Sequence, residues 1–333
     1  MKIALIEASH WHVPLYLDAI ERSGAKLVGV SDAENFAGGT IAARFNAPLY
    51  MDYRELLAKE QADFVFAFGR HAAMPEIAQS LIDRNIAFAI EKPCGLDAEQ
   101  VSRLRRVADE KGVYVAVPYI YRVSDLYGCI AGAAGTSTQD YNHLSFRFCA
   151  GPPERYAKVG CAWMLDKAWS GGGCTMNLAG HFVDMVHALT GSSVRAVSAV
   201  MSDRTHHAGI EDYSAMTLQC ANGAVAQIET AYTFPLAEDE QREVSFTLSS
   251  GAGYLRSGDG DIRVRDRRTA GNRSTQVDYE TDRYYALFVD TVLREFRSGK
   301  RTVTGLPEAE AVIKVIDAAY RSARAGGALQ HLM

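Results

Sequence analysis

Glu91-Lys92-Pro93 is a charged pair that stands between an apolar run and a proline. The run Ile86 to Ile90 is typical of a strand buried on both faces in a parallel sheet. Pro93 lacks an N–H and keeps Lys92 out of the helical region, so we expect Lys92 to project from the carboxyl edge of the sheet. Glu91 can hold this ammonium by charge. The ammonium can stabilise negative charge on a reacting oxygen, although the stretch also fits a solvated lysine at a strand end.

A second group of residues with suitable chemistry follows the triplet Gly171-Gly172-Gly173. His181 is expected near the start of a helix that runs to about Leu189, and an imidazole there can act as a general base. Asn177 lies four residues earlier, and Asp184 lies one turn later, where it can orient the imidazole. His181 falls outside the apolar stripe of this helix, but a structural histidine is the alternative. The glycines predict backbone that lies close to a ligand or to another chain segment.

The first half of the chain alternates short apolar strands with helices, which predicts a doubly wound parallel sheet over residues 1–122. The predicted strands are Ile3 to Ile6, Leu27 to Val30, Phe64 to Phe68, Ile86 to Ile90 and Val113 to Val117. A long helix is expected from Asp97 to Lys111, with Asp97 and Gln100 as a capping box.

The first strand–helix–strand unit has the size of a dinucleotide-binding unit, about 30 residues. Asp32 ends its second strand, where an acid accepts hydrogen bonds from the adenosine ribose. The same acid repels the extra phosphate of NADP, and no Arg or Lys directly follows it, so the sequence favours NAD. Asp32 also fits a helix N-cap at a turn.

The loop after the first strand reads Glu7-Ala8-Ser9-His10-Trp11-His12 and contains no glycine, whereas a dinucleotide-binding loop is expected to read GxGxxG. Amides at the helix start can still bind a phosphate, but Glu7 is a poor neighbour for one. His10 and His12 lack a third ligand nearby, so we expect no metal. The cofactor-binding candidates are Ser9, His10, Trp11, Asp32, Phe68, Glu91 and Lys92.

The second half, residues 123–333, has longer alternating strands and predicts an α+β domain with a mostly antiparallel sheet. Asn222-Gly223 joins two of its strands as a hairpin. Several positions along this hairpin are uncharged and most of them are polar, and such a face suits a two-fold contact between sheets. These positions are Ser214, Thr217, Gln219, Ala221, Gln227 and Thr230. We therefore expect a homodimer or a homotetramer built from dimers.

Composition narrows the classes of function. The chain has 333 residues, of which 48% are hydrophobic, and a net charge of -5, which argues against nucleic acid as a partner. None of its 6 cysteines forms a CxxC pair, so we expect reduced thiols and a cytoplasmic protein. The first apolar run is too short for a signal peptide, and no run is long enough to cross a membrane.

These residues resemble the Gfo/Idh/MocA family of nicotinamide-dependent oxidoreductases over nearly the whole chain. The resemblance rests on Glu91-Lys92-Pro93, on Tyr121-Arg122, on the glycine triplet with Asn177, His181 and Asp184, and on the tail from Ala311 to Gly327. It implies an N-terminal Rossmann domain, a C-terminal domain whose sheet often forms the dimer face, and substrates that are sugars, polyols or their derivatives.

The resemblance also implies roles for single residues. Lys92 matches the family's catalytic lysine, and His181 matches its catalytic histidine. Many members have Asp where this chain has Asn177, and an amide cannot act as a base, so Asn177 is expected to position the substrate.

We expect the two catalytic residues to meet across an interdomain cleft. His181 would take the hydroxyl proton, Lys92 would stabilise the alkoxide, and the hydride would pass to NAD. Tyr119, Arg122 and Trp163 are further candidates to bind the substrate, although Trp163 also fits a core aromatic.

Other functions stay open at this point. Relatives that oxidise a sugar transiently on a retained NAD cleave glycosides, and such an enzyme would be a net hydrolase. The glycine-free loop also fits a non-catalytic relative that has lost its cofactor. A metal site at His206-His207 with Glu211 and Asp212 is the weakest alternative.

Overall fold

The computed structural model describes residues 1–132, 141–236, 242–267, 269–279 and 281–332. The chain divides into two compact units, each built from three segments. The first unit contains Met1–Ile120, Glu154–Gly171 and Asp282–Glu310, and the second contains Tyr121–Pro153, Gly172–Thr281 and Ala311–Met333. The functional domains at 1–122 and 123–333 stay a prediction.

The strands of both units are numbered in chain order. They are β1 (Lys2–Ile6), β2 (Lys26–Ser31), β3 (Leu49–Tyr50), β4 (Phe64–Ala67), β5 (Ala87–Ile90), β6 (Val115–Ala116), β7 (Tyr141–Ala150), β8 (Val194–Ser202), β9 (Tyr213–Cys220), β10 (Val225–Ala231), β11 (Arg242–Ser250), β12 (Gly253–Ser257), β13 (Asp261–Asp266), β14 (Asn272–Gln276) and β15 (Gln330–His331).

The α-helices are α1 (Pro14–Arg22), α2 (Gly38–Phe45), α3 (Tyr53–Lys59), α4 (Met74–Asp83), α5 (Ala98–Lys111), α6 (Asp125–Gly132), α7 (Arg155–Lys158), α8 (Lys167–Ser170), α9 (Gly180–Thr190), α10 (Asp282–Ser298) and α11 (Leu306–Arg324). Short 3-10 helices cover His71–Ala73, Ile120–Val123 and Ala162–Leu165, and a π-helix covers Thr175–Ala179.

The first unit is a six-stranded parallel sheet in the order β3-β2-β1-β4-β5-β6. This is the doubly wound order of dinucleotide-binding folds, so the predicted fold is confirmed. Strands β4 and β5 are apolar and buried at every position, as expected of strands covered on both faces.

The last predicted strand is shorter than expected. It ends at Ala116 because the N–H of Val117 donates to the carbonyl of Thr304 at 2.8 Å, and the Thr304 hydroxyl donates back to the Val117 carbonyl at 2.7 Å. The chain thus leaves the sheet before Pro118.

The long helix α5 begins where the capping signal predicts. The Asp97 carboxylate accepts the N–H of Gln100 at 2.8 Å, while the Gln100 side chain accepts the N–H of Leu96 at 2.9 Å. Two backbone donors at the helix start are therefore satisfied by side chains of the helix itself.

The second unit contains a nine-stranded sheet in the order β14-β13-β12-β11-β7-β10-β9-β8-β15. Every pair is antiparallel except β7 with β10. The hairpin of β9 and β10 turns at Asn222-Gly223, as predicted. Helix α9 packs on β7 and β10 and covers one face of the sheet.

The predicted polar face of the hairpin is wrong at two positions. Ser214 and Thr230 face each other across β9 and β10, and both are fully buried. Side chains alternate along a strand, so they share a face with the buried Met216 and Leu218, whereas Thr217 lies on the opposite face.

That opposite face also carries charges, which the sequence did not indicate. Arg147 lies 3.3 Å from the carboxylate oxygens of both Glu229 and Glu243. The charges are paired within the unit, and the face is therefore mixed rather than uncharged.

The glycine triplet lies against another chain segment of the same unit. A Cβ at Gly172 would lie 1.8 Å from the hydroxyl of Tyr320, and a Cβ at Gly173 would lie 1.9 Å from the carbonyl oxygen of Glu211. The Glu211 carboxylate accepts the N–H groups of Gly173 and Thr175 at 2.9 and 3.0 Å, and the Tyr320 hydroxyl at 2.6 Å. This anchor holds the start of the π-helix that leads into α9.

Among the described residues, no helix has both the length and the apolar character required to cross a membrane.

Candidate active site

The loops after β1, β4 and β5 meet at the carboxyl edge of the parallel sheet. Strands β1 and β4 are neighbours, and the order of the sheet reverses between them. In open α/β sheets this switch point is where ligands bind. Lys92 follows β5, the next strand, and it is buried, with 3% of its surface exposed. Because it is buried, Lys92 is not a solvated lysine.

Glu91 is the centre of a buried hydrogen-bond network in this unit. Its carboxylate accepts the hydroxyl of Tyr16 at 2.6 Å and the backbone N–H of Lys92 at 3.1 Å. The Nδ1 of His12 lies 3.2 Å from the same carboxylate, and the Nε2 of His12 lies 3.2 Å from the hydroxyl of Tyr285. The network ties β5 to α1 and α10.

The two charges shift one another's pKa. Burial acts to raise the pKa of Glu91, but the His12 ring and the Lys92 charge outweigh it and lower the pKa to about 2. Burial lowers the pKa of Lys92 to about 8, although the Glu91 charge opposes the change. Lys92 can therefore gain and lose its proton near neutral pH, which a solvated lysine cannot do.

Sequence reasoning missed Tyr16 and Tyr285, and it treated His12 only as half of an improbable metal pair. Tyr16 lies in the buried stripe of α1, where it counts as an apolar residue. Tyr285 lies far along the chain, and no local pattern predicts its contact with His12. Within the described part of the chain, no three or more His, Cys, Asp or Glu side chains are grouped so that they could hold a metal.

A hydrogen bond joins Ser9, in the loop that lacks the expected glycines, to Asp32 directly after β2. The Ser9 hydroxyl donates to Oδ2 of Asp32 at 2.6 Å, and it accepts the N–H groups of Phe36 and Ala37 at 3.0 Å. The same Oδ2 accepts the N–H of Gly38 at 2.7 Å, where a Cβ would collide with the Asp32 side chain. Oδ2 supports the N-cap interpretation of Asp32, because it accepts an N–H at the start of α2. Oδ1 is compatible with the cofactor interpretation, because it is buried without a protein partner among the described residues.

Glu7 takes the place of the first expected glycine and adopts its backbone conformation. Its φ is +57°, in the left-handed region that favours glycine. The carboxylate accepts the N–H of Ala33 at 3.3 Å, and its pKa is raised by burial and then by the charge of Asp32. Two acids therefore stand together where the adenosine end of a dinucleotide is expected.

An aromatic cluster surrounds the loop after β1. The His10 ring stacks on Trp11 with 3.8 Å between ring centroids, and Phe68 lies 5.7 Å from His10. Trp163 lies 5.7 Å from Trp11 and 5.0 Å from His71. The thiol of Cys161 donates to the carbonyl of Ser9 at 3.1 Å and fastens the loop. The structure thus groups Trp163, a predicted substrate residue, with the predicted cofactor residues, and adds His71.

The second unit holds the other set of candidates, around the π-helix and α9. Asn177 and His181 are both buried. The Asn177 amide donates to the hydroxyl of Tyr232 at 3.0 Å, and the ring of Tyr121 lies edge-on to His181 at 5.9 Å. A π-helix such as this one frequently marks a functional site.

Asp184 forms an ion pair with Arg122. Its carboxylate accepts the Nε–H of Arg122 at 2.8 Å, and the carboxylate is buried. This ion pair places Arg122, a substrate candidate, beside α9. Tyr119 is buried in the first unit.

The residues of the weakest metal alternative, His206-His207 with Glu211 and Asp212, take part in hydrogen bonds within the second unit. The Asp212 carboxylate accepts the N–H groups of Thr205 and His206 at 2.8 and 2.7 Å, and Nε2 of His206 lies 2.9 Å from the carbonyl of Tyr232. Glu211 holds the glycine triplet instead.

Comparison with known proteins now identifies the family. Residues 10–119 match the oxidoreductase family with an NAD-binding Rossmann fold, and residues 140–251 match the GFO/IDH/MocA C-terminal domain. The chain belongs to the Gfo/Idh/MocA family. The two matches span about two thirds of the chain and confirm the predicted resemblance. This Gfo/Idh/MocA protein is therefore an oxidoreductase with a nicotinamide dinucleotide-binding domain.

Individual relatives are distant but align over nearly their whole length. D-xylose 1-dehydrogenase (NADP(+)) 2 of Haloferax volcanii is 21% identical, and the match covers 94% of each chain. GenD2 from gentamicin A biosynthesis, in complex with NAD, has a TM-score of 0.84 at 20% identity and covers 100% of this chain and 96% of its own. Levoglucosan dehydrogenase, in complex with NADH and levoglucosan, has a TM-score of 0.83 at 16% identity and covers 100% and 99%. These two structures confirm the fold.

We predict that Glu91→Gln removes a pH dependence of stability. A carboxyl whose folded-state pKa is lowered to about 2 stabilises the fold fully above its ordinary value of 4.5, and this contribution is lost as the pH falls through the folded-state pKa. Chemical denaturation of wild type and variant should therefore show a gap in unfolding free energy that narrows by roughly 2 kcal/mol between about pH 6 and about pH 3.

Tyr16→Phe is the graded control, because it removes one donor to Glu91 and leaves the charge. It should lose only part of this dependence. A constant gap between wild type and Glu91→Gln over the whole range would contradict the role of the buried charge.

Proposed function

We propose that the protein is a dehydrogenase or reductase that transfers a hydride between NAD and a secondary alcohol or carbonyl of a sugar, polyol or derivative. The observation that carries this proposal is that Lys92 is buried at the ligand-binding edge of a dinucleotide-binding sheet, where burial lowers its pKa to about 8. The similar D-xylose and levoglucosan dehydrogenases support a neutral polyhydroxylated substrate.

The first unit has groups that fit a dinucleotide. The buried Oδ1 of Asp32 has no protein partner among the described residues and suits a ribose hydroxyl. Ser9, His10, Trp11, Phe68 and Glu91 complete the proposed cofactor side. Bound nicotinamide supplies the acceptor or donor of the hydride.

The proton of the reaction is handled by the protein. When the alcohol is oxidised, its carbon loses a hydride and its oxygen loses a proton, which His181 takes. Lys92 stabilises the negative charge that develops on that oxygen, and in the reductive direction the protonated His181 returns the proton to the oxygen. Asn177, oriented by Tyr232, positions the substrate as a hydrogen-bond partner.

Tyr119, Arg122 and Trp163 belong to the proposed substrate contacts. The Arg122–Asp184 pair neutralises the guanidinium, so Arg122 suits a hydroxyl better than a carboxylate of the substrate.

A panel of aldoses, polyols and sugar acids, assayed with NAD for the formation of NADH, tests the proposed function. We expect turnover with members of the neutral sugar and polyol classes. Release of a free sugar from glycosides with no net NADH would instead indicate the hydrolytic alternative, and a protein that neither binds NAD nor turns over any member would indicate a non-catalytic relative.

We predict that Lys92 and His181 act on the same hydroxyl. His181→Ala should lower turnover by about 10²–10⁴, the usual value of a general base, and Lys92→Ala should cost a comparable factor or more. Lys92→Arg should not restore the rate, because a planar guanidinium does not replace a compact charge. The double variant should lose less than the product of the two single losses, since residues that act as a unit are not additive.

The pH profile of the reductive reaction tests whether the charge of Lys92 is required. The ammonium is present below its pKa of about 8, so kcat/KM for reduction should fall as the pH rises through about 8. A fully active His181→Ala variant, or strictly multiplicative losses in the double variant, would exclude the joint mechanism.

We predict that the protein binds NAD more tightly than NADP, although the Haloferax relative is named for NADP. Asp32 and Glu7 are two acids at the proposed adenosine end, and both repel a 2′-phosphate. Asp32→Asn keeps an oxygen for the N–H of Gly38 and should narrow the ratio of the two dissociation constants by about tenfold or more. Calorimetric titration measures both constants, and equal or tighter binding of NADP by wild type would refute the preference.

We also propose that the face of the nine-stranded sheet opposite α9 binds a second copy of the chain. Arg147 on this face is paired with Glu229 and Glu243 of the same unit, and Val200 is 55% exposed on β8. Paired charges beside exposed apolar groups suit a two-fold contact.

Light scattering tests this assembly. We expect a dimer, or a tetramer built from dimers, and we expect Val200→Asp to shift it toward monomer. Leu287→Asp on α10 is the matched control, because Leu287 is also an exposed apolar residue and lies in the other unit. A monomer at every concentration would refute the proposal.

A further inference from the structure

Two histidines of the first unit each keep one buried ring nitrogen without a protein partner. His10 is 4% exposed and His71 is 0% exposed, and their Nε2 atoms have no hydrogen-bond partner among the described residues. Burying a polar atom without a hydrogen-bond partner destabilises the folded state. Such an atom is typical of a position where a ligand completes the hydrogen bond.

His71 offers a lone pair. Its Nδ1 lies 2.8 Å from the carbonyl of Ser170, and a carbonyl can only accept, so Nδ1 carries the proton. Burial lowers the pKa of His71 to about 3, which keeps the ring neutral. A neutral ring has one proton, and Nε2 is therefore an acceptor.

His10 offers the opposite polarity. Its Nδ1 lies 3.2 Å from the N–H of His12, which donates to it, so Nδ1 has the lone pair. The pKa of His10 is lowered by burial, and then by His12, well below its ordinary value. In this neutral ring Nε2 carries the proton and is a donor.

The two rings stand on the two loops of the switch point. His10 follows β1 and His71 follows β4, and these strands are neighbours in the sheet. Trp163 lies 6.1 Å from His10 and 5.0 Å from His71, between ring centroids, so both imidazoles border the same aromatic side chain.

The polarities restrict the ligand group. A phosphate or carboxylate only accepts and would meet the lone pair of His71, and an ammonium only donates and would meet the proton of His10. A neutral group that both donates and accepts satisfies the pair, and a primary carboxamide or two hydroxyls have this property.

We propose that His10 and His71 form a donor–acceptor pair that binds a neutral group with one donor and one acceptor. Two sources of this chemistry exist within the proposed function, on which the inference rests. One is the carboxamide of the nicotinamide, and the other is a pair of hydroxyls on the sugar.

The test removes each Nε2 and keeps the contact of each Nδ1. In His71→Asn the amide N–H can still donate to Ser170, and in His10→Asn the amide oxygen can still accept the N–H two residues on, as in an Asx turn. His187→Asn is the matched control, because Nδ1 of His187 lies 3.1 Å from the Ser192 carbonyl and its Nε2 is likewise unpartnered, but it lies on α9 in the other unit. His10→Gln and His71→Gln restore a polar atom farther from the backbone.

Calorimetric titration with NAD and with 3-acetylpyridine adenine dinucleotide, which lacks the amide N–H, distinguishes the sources. If the pair binds the carboxamide, each Asn variant should weaken NAD binding roughly three- to tenfold, the value of one hydrogen bond. Wild type should then bind the analogue more weakly than NAD by a similar factor, and His71→Asn should lose this discrimination while His10→Asn keeps it. If the Asn variants instead bind NAD as wild type does, and their KM for the sugar rises by that factor, the pair binds hydroxyls of the sugar.

Two results would overturn the inference. In the first, neither the NAD affinity nor the KM for the sugar changes in the two Asn variants. In the second, His187→Asn changes the NAD affinity or the KM for the sugar as much as the two Asn variants do. Either result leaves the proposed function intact as long as wild type binds NAD, whereas wild type that binds no NAD refutes the proposed function itself.

Discussion

A charged carboxylate in a protein interior must be stabilised by donors and opposite charge, and Glu91 imposes this constraint on the first unit. It is 1% exposed, and its side-chain partners come from segments that are distant in sequence. Tyr16 belongs to α1, and His12 follows β1 and connects to Tyr285 on α10, while the backbone N–H of the next residue, Lys92, also donates to Glu91. Any rearrangement of these elements would leave a buried charge unpaired, at a cost of about 3–5 kcal/mol. Lys92 follows Glu91 directly at the sheet edge, where burial lowers its pKa to about 8 against the opposing charge of Glu91, so the residue that orders the fold lies next to the proposed catalytic lysine.

The loop after β1 shows how side chains can replace glycine. A glycine-rich loop turns tightly because glycine reaches left-handed backbone without strain. Here Glu7 occupies that region, and hydrogen bonds of Ser9 with Asp32 and of Cys161 with Ser9 hold the turn. The loop is thereby fixed before any ligand binds. Fixing it beforehand reduces the ordering entropy that binding must overcome.

Local patterns were sufficient to predict the fold class. Strands as short and apolar as β4 and β5, separated by amphipathic helices, allow few arrangements other than a parallel doubly wound sheet. The site is predictable only where a reactive residue lies next to a local sequence signal, such as the end of an apolar strand and the proline at Glu91-Lys92-Pro93. The tautomers of His10 and His71 depend on Ser170 and on a loop amide, and the partner of the glycine triplet is Glu211. Such contacts join residues far apart in the chain and leave no periodic signal. The misplacement of Ser214 and Thr230 has another cause, since side-chain polarity alone does not indicate which face of a strand is covered.

We propose that the loop after β1 binds a dinucleotide although it contains no glycine. Isothermal titration calorimetry of the full chain with NAD tests it most directly. We expect saturable binding at about one NAD per chain, with a dissociation constant below about 1 mM, the upper end of ordinary substrate affinities. An absence of saturable heat at NAD concentrations above that value would contradict it.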